Sequence, residues 1–284
     1  MRVLPTVDDQ NVLLPQDIET VAVTAAVEAG KLLDSSRADN GVVARKPGLD
    51  SLVTRVDKAC EELIFGLVSN AFPDHWVLGE EHGLRTTAVG HDGDGRETSE
   101  LDTLWIVDPV DGTTNYVHGL PGSVVSIAVA RRGVLVLGVV YDPSRDELFV
   151  ARQGGGAYLN GRRISVSREL TLGDALVATG VPGTTRKARE SNLRCVTRVG
   201  PLARSVRILG AAALHLAYVA AGRLSGFWEL DLRPWDVAAG VLLVVEAGGR
   251  VTETTGAPYT LDVRDLMATN GAIHAELAEV LVTT

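Results

Sequence analysis

From Gln16 to about Leu33 the apolar residues Ile18, Val21, Val23, Ala26, Val27 and Ala29 recur at mixed spacings of three and four, the stripe of an amphipathic helix. A second helix is expected from near Thr54 or Asp57, with Ala59, Leu63, Ile64 and Leu67 on its buried face. Phe72-Pro73-Asp74 stops it, because a residue before proline avoids helical geometry. The run WVLGEEHG reads as a short strand leading into a polar loop. Residues 83–101, rich in Gly, Thr and acid and without periodicity, read as a surface excursion near enough to ask whether it closes over a site. LWIVD, SVVSIAVAR, VLVLGVVYD and ELFVAR then follow as strands with tight turns, an antiparallel meander that GGGAYLNGRRISVS continues. The glycines at 154–156 read as a turn, since no GK[ST] helix start follows them.

After Gly173 the pattern alternates. DALVATG is a strand, a polar stretch begins at Thr184, SVRILG is a strand and AAALHLAYVAAG a helix. GFWEL, RVTE and LMATN are strands; WDVAAGVLLVVEAGG and the closing GAIHAELAEVLV are helices. The expected fold class is α/β (α+β), helices layered on two sheets, divided into halves at 16–170 and 171–284.

Composition narrows the function. With 45% hydrophobic and 22% charged residues, the 284-residue chain has ordinary globular usage. A net charge of -9 argues against a nucleic-acid scaffold. No apolar run approaches the roughly 20 residues that span a bilayer, so no membrane partner is expected. The start carries acids and prolines where a secretory signal would have its apolar core. Cys60 and Cys195 lack CxxC spacing, and the six histidines form no HxH or HExxH pair. The expectation is a cytoplasmic enzyme or binding protein.

The chemistry is in the acids. Strand 104–107 ends in Asp108-Pro109-Val110-Asp111-Gly112-Thr113, where proline should stop the ladder and Asp111 is spaced to cap a helix starting at Gly112. The Gly112 and Thr113 amides at that helix start suit a phosphate. Glu80-Glu81 follows another strand, and Asp236 opens an apolar helix. Singly these are caps and solvated charges. Gathered together, with Arg233 the only lysine or arginine within three positions of any of them, they need a cation. Carboxylates plus a backbone carbonyl suit Mg²⁺ or Mn²⁺, whereas zinc would want Cys or His.

Asp57, Glu80-Glu81, the run Asp108 to Thr113, and Trp235-Asp236 with Gly248-Gly249 closing the same helix resemble the signature of the lithium-sensitive, magnesium-dependent phosphatases. The chain is similar to the inositol monophosphatase family in particular, from about Gln16 to the C-terminus, with all motifs in order. The resemblance implies a five-layered αβαβα sandwich, a homodimer and a phosphomonoesterase acting on myo-inositol 1-phosphate or a similar polyol phosphate. It implies two or three Mg²⁺ held by Glu80, Asp108, Asp111, Asp236 and the Val110 carbonyl. Asp57 and Thr113 would position the attacking water, with Glu80 touching the same metal. Gly112 and Thr113 would hold phosphate, while Asp111, Ala212, Glu229 and Asp236 would meet the rest of the substrate. Two residues depart from the family pattern. Ala211, in Gly210-Ala211-Ala212, removes a hydroxyl near the pocket, and His215 stands where relatives often have Asp and reads as a packed histidine. Alternatives are a histidinol-phosphate, fructose-1,6-bisphosphate or nucleotide phosphatase, or a catalytically idle interaction protein with the same fold.

Overall fold

The computed structural model describes residues 16–37, 42–45, 52–87, 101–181 and 185–282. Helix α1 (Gln16–Ser35) is followed by a small hairpin, β1 (Val42–Arg45) and β2 (Leu52–Thr54), and then by α2 (Arg55–Ala71). Thr54 caps α2 and the Asp57 side chain answers it, a reciprocal capping box. The buried stripe of α2 is Val56, Cys60, Ile64 and Val68, in steps of four. Ala59, expected inside, is exposed, and Leu63 and Leu67 lie at the margin, because the true stripe starts one turn earlier at Val56.

The large sheet contains β3 (Trp76–Gly79), β4 (Gly83–Thr86), β5 (Leu104–Asp111), β6 (Val124–Arg131), β7 (Val134–Asp142), β8 (Glu147–Arg152), β9 (Gly156–Leu159) and β10 (Arg162–Arg163). Its order is β10-β9-β8-β7-β6-β5-β3-β4, antiparallel throughout except for the β3–β5 pair. The expected meander is present. Residues 83–86, read from sequence as loop, pair with β3 as its antiparallel edge; the question of closure falls on residues 88–100, outside the described residues. A short helix, α3 (Thr113–Val117), links β5 to β6.

The small sheet holds β11 (Leu176–Thr179), β12 (Ser205–Arg207), β13 (Gly226–Glu229), β14 (Arg250–Glu253) and β15 (Leu266–Thr269), in the order β12-β11-β13-β15-β14. Between these strands run α4 (Arg186–Val199), α5 (Ala212–Ala220), α6 (Pro234–Glu246) and α7 (His274–Val282). Helix α4 corrects the sequence reading of a polar stretch. Its inner face is narrow (Asn192, Cys195, Val199) and one of those three residues is polar.

Three apolar clusters define the layers. One joins α1 and α2 to one face of the large sheet through Trp105, Val107 and Ile127. A second fills the space between the sheets with α5 and α6. A third packs α4 and α7 on the outer face of the small sheet through Cys195, Val199, Trp228 and Leu277. The order is therefore αβαβα, each sheet buried on both faces as its apolar runs require. Gly138 lets α6 approach β7, since a Cβ there would meet the Ala239 backbone.

Candidate active site

Three strand ends and two helix starts assemble the acids. Strands β3 and β5 run parallel with Gly79 beside Val107, and the Glu80 N–H carries the ladder on to the Val107 carbonyl at 3.2 Å. The next residues in that register are Glu80 and Asp108. Parallel strands thus deliver two carboxylates side by side at their C-terminal ends.

The β5–β6 pairing then slips. Asp108 faces Ser126 and Asp111 faces Val124, so three steps on β5 match two on β6. This one-residue bulge alters the alternation of side chains. Leu104 and Ile106 point into the core between the sheets, whereas Val107 and Val110 point to the α1–α2 side. Asp108 and Asp111, three apart, consequently share the face turned toward α5 and α6. Pro109 does not stop the ladder as expected; it occupies the bulge, where a missing N–H costs nothing.

Asp111 does not cap α3. Its carboxylate instead accepts from the Ala213 and Ala212 amides at the start of α5, at 2.7 and 3.3 Å. The α3 cap is Gly112 at φ 89°, a left-handed conformation. A Cβ there would lie 2.9 Å from the Gly122 carbonyl and 3.2 Å from the Ala211 methyl. Asp236 is the third residue of α6 and accepts the Arg233 N–H at 2.6 Å. The Ser126 hydroxyl donates to the Trp235 carbonyl at 3.4 Å, tying that helix start to the strand position opposite Asp108. Glu229 ends β13, its carboxylate lying where a Cβ on Gly180 would be.

Asp57 comes from α2. One oxygen accepts from the Thr54 N–H at 2.9 Å and from the Thr54 hydroxyl; the other stands 3.0 Å from the Thr113 hydroxyl. That hydroxyl is also 3.0 Å from the Val110 carbonyl, so its single proton has two competing acceptors.

Electrostatics set the cluster apart from the rest of the interior. Burial raises the Asp108 carboxyl well above its usual range, and Glu80, Asp111 and Asp236 raise it further. Asp111 is raised well above its range by burial and then by Asp236, only partly offset by the α5 amides. Glu229 is raised by burial, then by Asp236 and Asp111. Asp57 is raised by burial, against which the bonds from Thr54 and Thr113 act. The largest charge influences on Asp108, Asp111 and Glu229 are thus all carboxylates, so each holds down the ionisation of the next. The donors fit a hard divalent cation in chemistry. Among the described residues no three His, Cys, Asp or Glu side chains already stand as a closed set of metal donors.

Asn115 and His215 brace this site, and the sequence pattern pointed only to His215. Asn115 donates to the Leu209 carbonyl at 2.7 Å and the Gly122 carbonyl at 3.3 Å, joining α3 to the loop before α5. His215 is fully buried, and its Nε2 accepts the Leu209 N–H at 3.0 Å. Its ring stacks on Phe227 with centroids 5.0 Å apart, and burial lowers its pKa to about 3. It is a neutral packed histidine, as read.

The site thus stands in a two-sheet α/β sandwich with carboxylates gathered at its strand ends. The model of the Inositol monophosphatase family matches residues 14–284. Inositol monophosphatase 2 of Solanum lycopersicum is 45% identical over 90% of this chain and 94% of its own length. The Nus factor SuhB of Escherichia coli (strain K12) is 40% identical over 88% and 90%. A solved Thermotoga maritima IMPase superposes with a TM-score of 0.84 at 34% identity, covering 94% of this chain and 98% of that one. The chain belongs to the inositol monophosphatase family.

Proposed function

We propose that the chain hydrolyses myo-inositol 1-phosphate or a similar polyol phosphate to the alcohol and inorganic phosphate. The observation that carries this reading is that Asp108, Asp111 and Glu229 have other carboxylates, Glu80 and Asp236 foremost, as their strongest charged neighbours. Glu80, Asp108, Asp111, Asp236 and the Val110 carbonyl would hold two or three Mg²⁺, with Mn²⁺ as a substitute. When bound, such ions would polarise the phosphoryl group, acidify a water and stabilise the leaving oxygen.

The chain's own residues do the orienting. With its proton given to Asp57, the Thr113 hydroxyl presents lone pairs that accept from a water and aim it at phosphorus. Glu80 follows β3 in the register that sets it beside Asp108, and would touch the same metal as that water. The Gly112 and Thr113 amides would hold the phosphate oxygens. Asp111 and Glu229 accept hydroxyls of the polyol, Ala212 lines the space beside them, and Asp236 takes the leaving-group side. Water oxygen bonds to phosphorus as the ester P–O bond breaks; one proton of the water passes to the leaving alcohol and the other stays on the inorganic phosphate. The site draws acids from both 16–170 and 171–284, which explains why these halves would act only together.

We place the protein in the cytoplasm as a homodimer by its family resemblance. Cys60 and Cys195 are both buried and no disulfide joins them, in keeping with a reducing compartment. Among the described residues no helix is long and apolar enough to cross a membrane. A second reading, action through assembly with a partner, draws on the likeness to a Nus factor.

Phosphate release from a panel of esters, with and without Mg²⁺, tests the proposal. Mg²⁺-dependent release from myo-inositol 1-phosphate is expected to exceed that from histidinol phosphate, fructose 1,6-bisphosphate and nucleotides. Faster release from one of those would move the substrate; no release from any would favour the assembly role.

A further inference from the structure

One turn beyond Asp57, α2 carries a second acid with no part in the chemistry above. Glu61 is 0% exposed. One of its oxygens accepts the Glu81 N–H at 2.8 Å; the other accepts the His82 N–H at 3.1 Å and lies 2.8 Å from His82 Nδ1. Arg85 Nη2 reaches that second oxygen at 3.3 Å. All four donors belong to the turn after Glu80 or to β4 beyond it.

The other side of Glu80 meets the same carboxylate. A Cβ on Gly79 would run into the Glu61 carboxyl group, so the last residue of β3 must be glycine for Glu61 to occupy its place. Glu80 is held between these two contacts. On one side a glycine admits the Glu61 carboxylate, and on the other two backbone amides are drawn onto it. Asp57 and Glu61 are four apart on one helix, so they share a face and move together. The same face touches Thr113 through Asp57 and the Glu80 turn through Glu61.

We propose that Glu61 is a positioning residue that fixes the Glu80 carboxylate toward its cation and locks it to the same helix face that orients Thr113. This role rests on the reading of the site given above. A buried acid could serve stability alone, and the difference is measurable. A clamp for the fold changes melting only, whereas a clamp for Glu80 changes how tightly the site takes a metal. Loss of a partner behind a metal ligand typically costs about 10- to 100-fold in metal affinity.

The experiment is calorimetric titration of metal-free protein with Mg²⁺, for wild type, Glu61→Gln and His82→Ala, with thermal melting of each in parallel. Gln keeps the shape of Glu61 but turns an amide N–H toward donors. His82 sits in a half-exposed turn, so its truncation leaves a folded protein even if Glu61→Gln does not fold. Glu61→Gln is expected to weaken Mg²⁺ binding by about tenfold or more. His82→Ala should weaken it several-fold, and raising Mg²⁺ should restore most of the turnover of both without changing KM for the ester. Lower melting temperatures with Mg²⁺ affinity within about twofold of wild type would make Glu61 a clamp for the fold alone and overturn the proposal. Wild type that takes up no Mg²⁺ overturns the site reading and this role together; wild type that binds beside variants that bind equally well overturns only the role of Glu61.

Discussion

Asp142 and Asp108 are both buried aspartates on neighbouring parts of one sheet, and their surroundings are opposite. Asp142, at the end of β7, accepts from the Ser144 N–H at 2.9 Å, the Ser144 hydroxyl at 2.6 Å and Arg145 at 2.8 Å. Asp108 receives the Val110 N–H at 3.0 Å, but its charged neighbours are Glu80, Asp111 and Asp236. The chain answers the first charge from its own atoms and leaves the second to something from outside. A buried acid of the first kind holds the fold together; one of the second kind is tolerated for what it binds.

The sharpest way to break this comparison is to neutralise one member of each kind. Asp236→Asn removes a charge that raises Asp108, Asp111 and Glu229, and should cost more than the ~100-fold upper range for an outer partner of a metal. The same change should leave metal-free stability unchanged or raised, because a repulsion is lost. Asp142→Asn should do the reverse: near-normal turnover and a loss of about 2 kcal/mol, the range for hydrogen bonds to a charged group. Rate assays at limiting Mg²⁺ with urea unfolding of both metal-free variants check the pair. If Asp236→Asn unfolds the protein and Asp142→Asn silences it, the two kinds of acid have been confused.

Metal should act on one kind only. A cation that binds the native state alone stabilises it by about 2.7 kcal/mol at 100 times its Kd. Saturating Mg²⁺ should therefore raise the melting temperature of wild type and Asp142→Asn alike, and that of Asp236→Asn much less. An equal rise in all three would place the cation elsewhere. Li⁺ at millimolar levels is expected to inhibit turnover, from the family resemblance.

How far the sequence could show all this depends on the range of the interaction. The meander was legible because strands pair with neighbours in the chain and their apolar runs are bounded by turns. The acids were legible because Glu80 and Asp108 follow apolar strands and Asp236 opens an apolar helix. The β5 bulge was not, since only the pairing with β6 reveals that three steps count as two; Pro109 alone suggested an end to the ladder. The partners of Asp111 lie about a hundred residues away at the start of α5, so capping of the adjacent helix was the natural local guess. Helix α4 was hidden because Asn192 occupies a core position, held by Thr179 and the Gly180 carbonyl. Glu61 carried one signal, its place four residues after Asp57.

Protonation separates the two environments by the sign of their pH dependence. Burial lowers His215 to about 3, and burial with Arg250 lowers His274 to about 4. Between those values and the unfolded pKa of about 6.5, the unfolded chain binds more protons than the native one, so acid destabilises. Each histidine should remove about 2 kcal/mol between pH 7 and pH 5. Asp108, Asp111 and Glu229 are raised, so without metal the native state binds more protons than the unfolded chain and acid stabilises. Unfolding free energy should fall from pH 7 to 5 more steeply with saturating Mg²⁺ than without it. Parallel slopes would mean that the cation does not reach these carboxylates.

The smallest effect belongs to the edge of the acid cluster, where Glu229 can serve substrate choice without serving the reaction. Its carboxylate lies against Gly180, which follows β11 and is latched by Asn192 from α4. Truncating Glu229 to Ala should raise KM for a polyol phosphate about tenfold, the worth of roughly one hydrogen bond to a charged group, and leave KM for p-nitrophenyl phosphate nearly unchanged. Gly180→Ala keeps Glu229 but puts a methyl where its carboxylate rests and displaces it, so it should move the same ratio in the same direction by less. The pair matters because Glu229 is raised by Asp236 and Asp111 and so feels the metal-binding acids electrically. If Glu229 were one of them, both esters would suffer alike and Mg²⁺ dependence would shift with KM. Equal losses on the two esters would move Glu229 from recognition into the cation cluster, leaving the polyol hydroxyls to Asp111 and the start of α5.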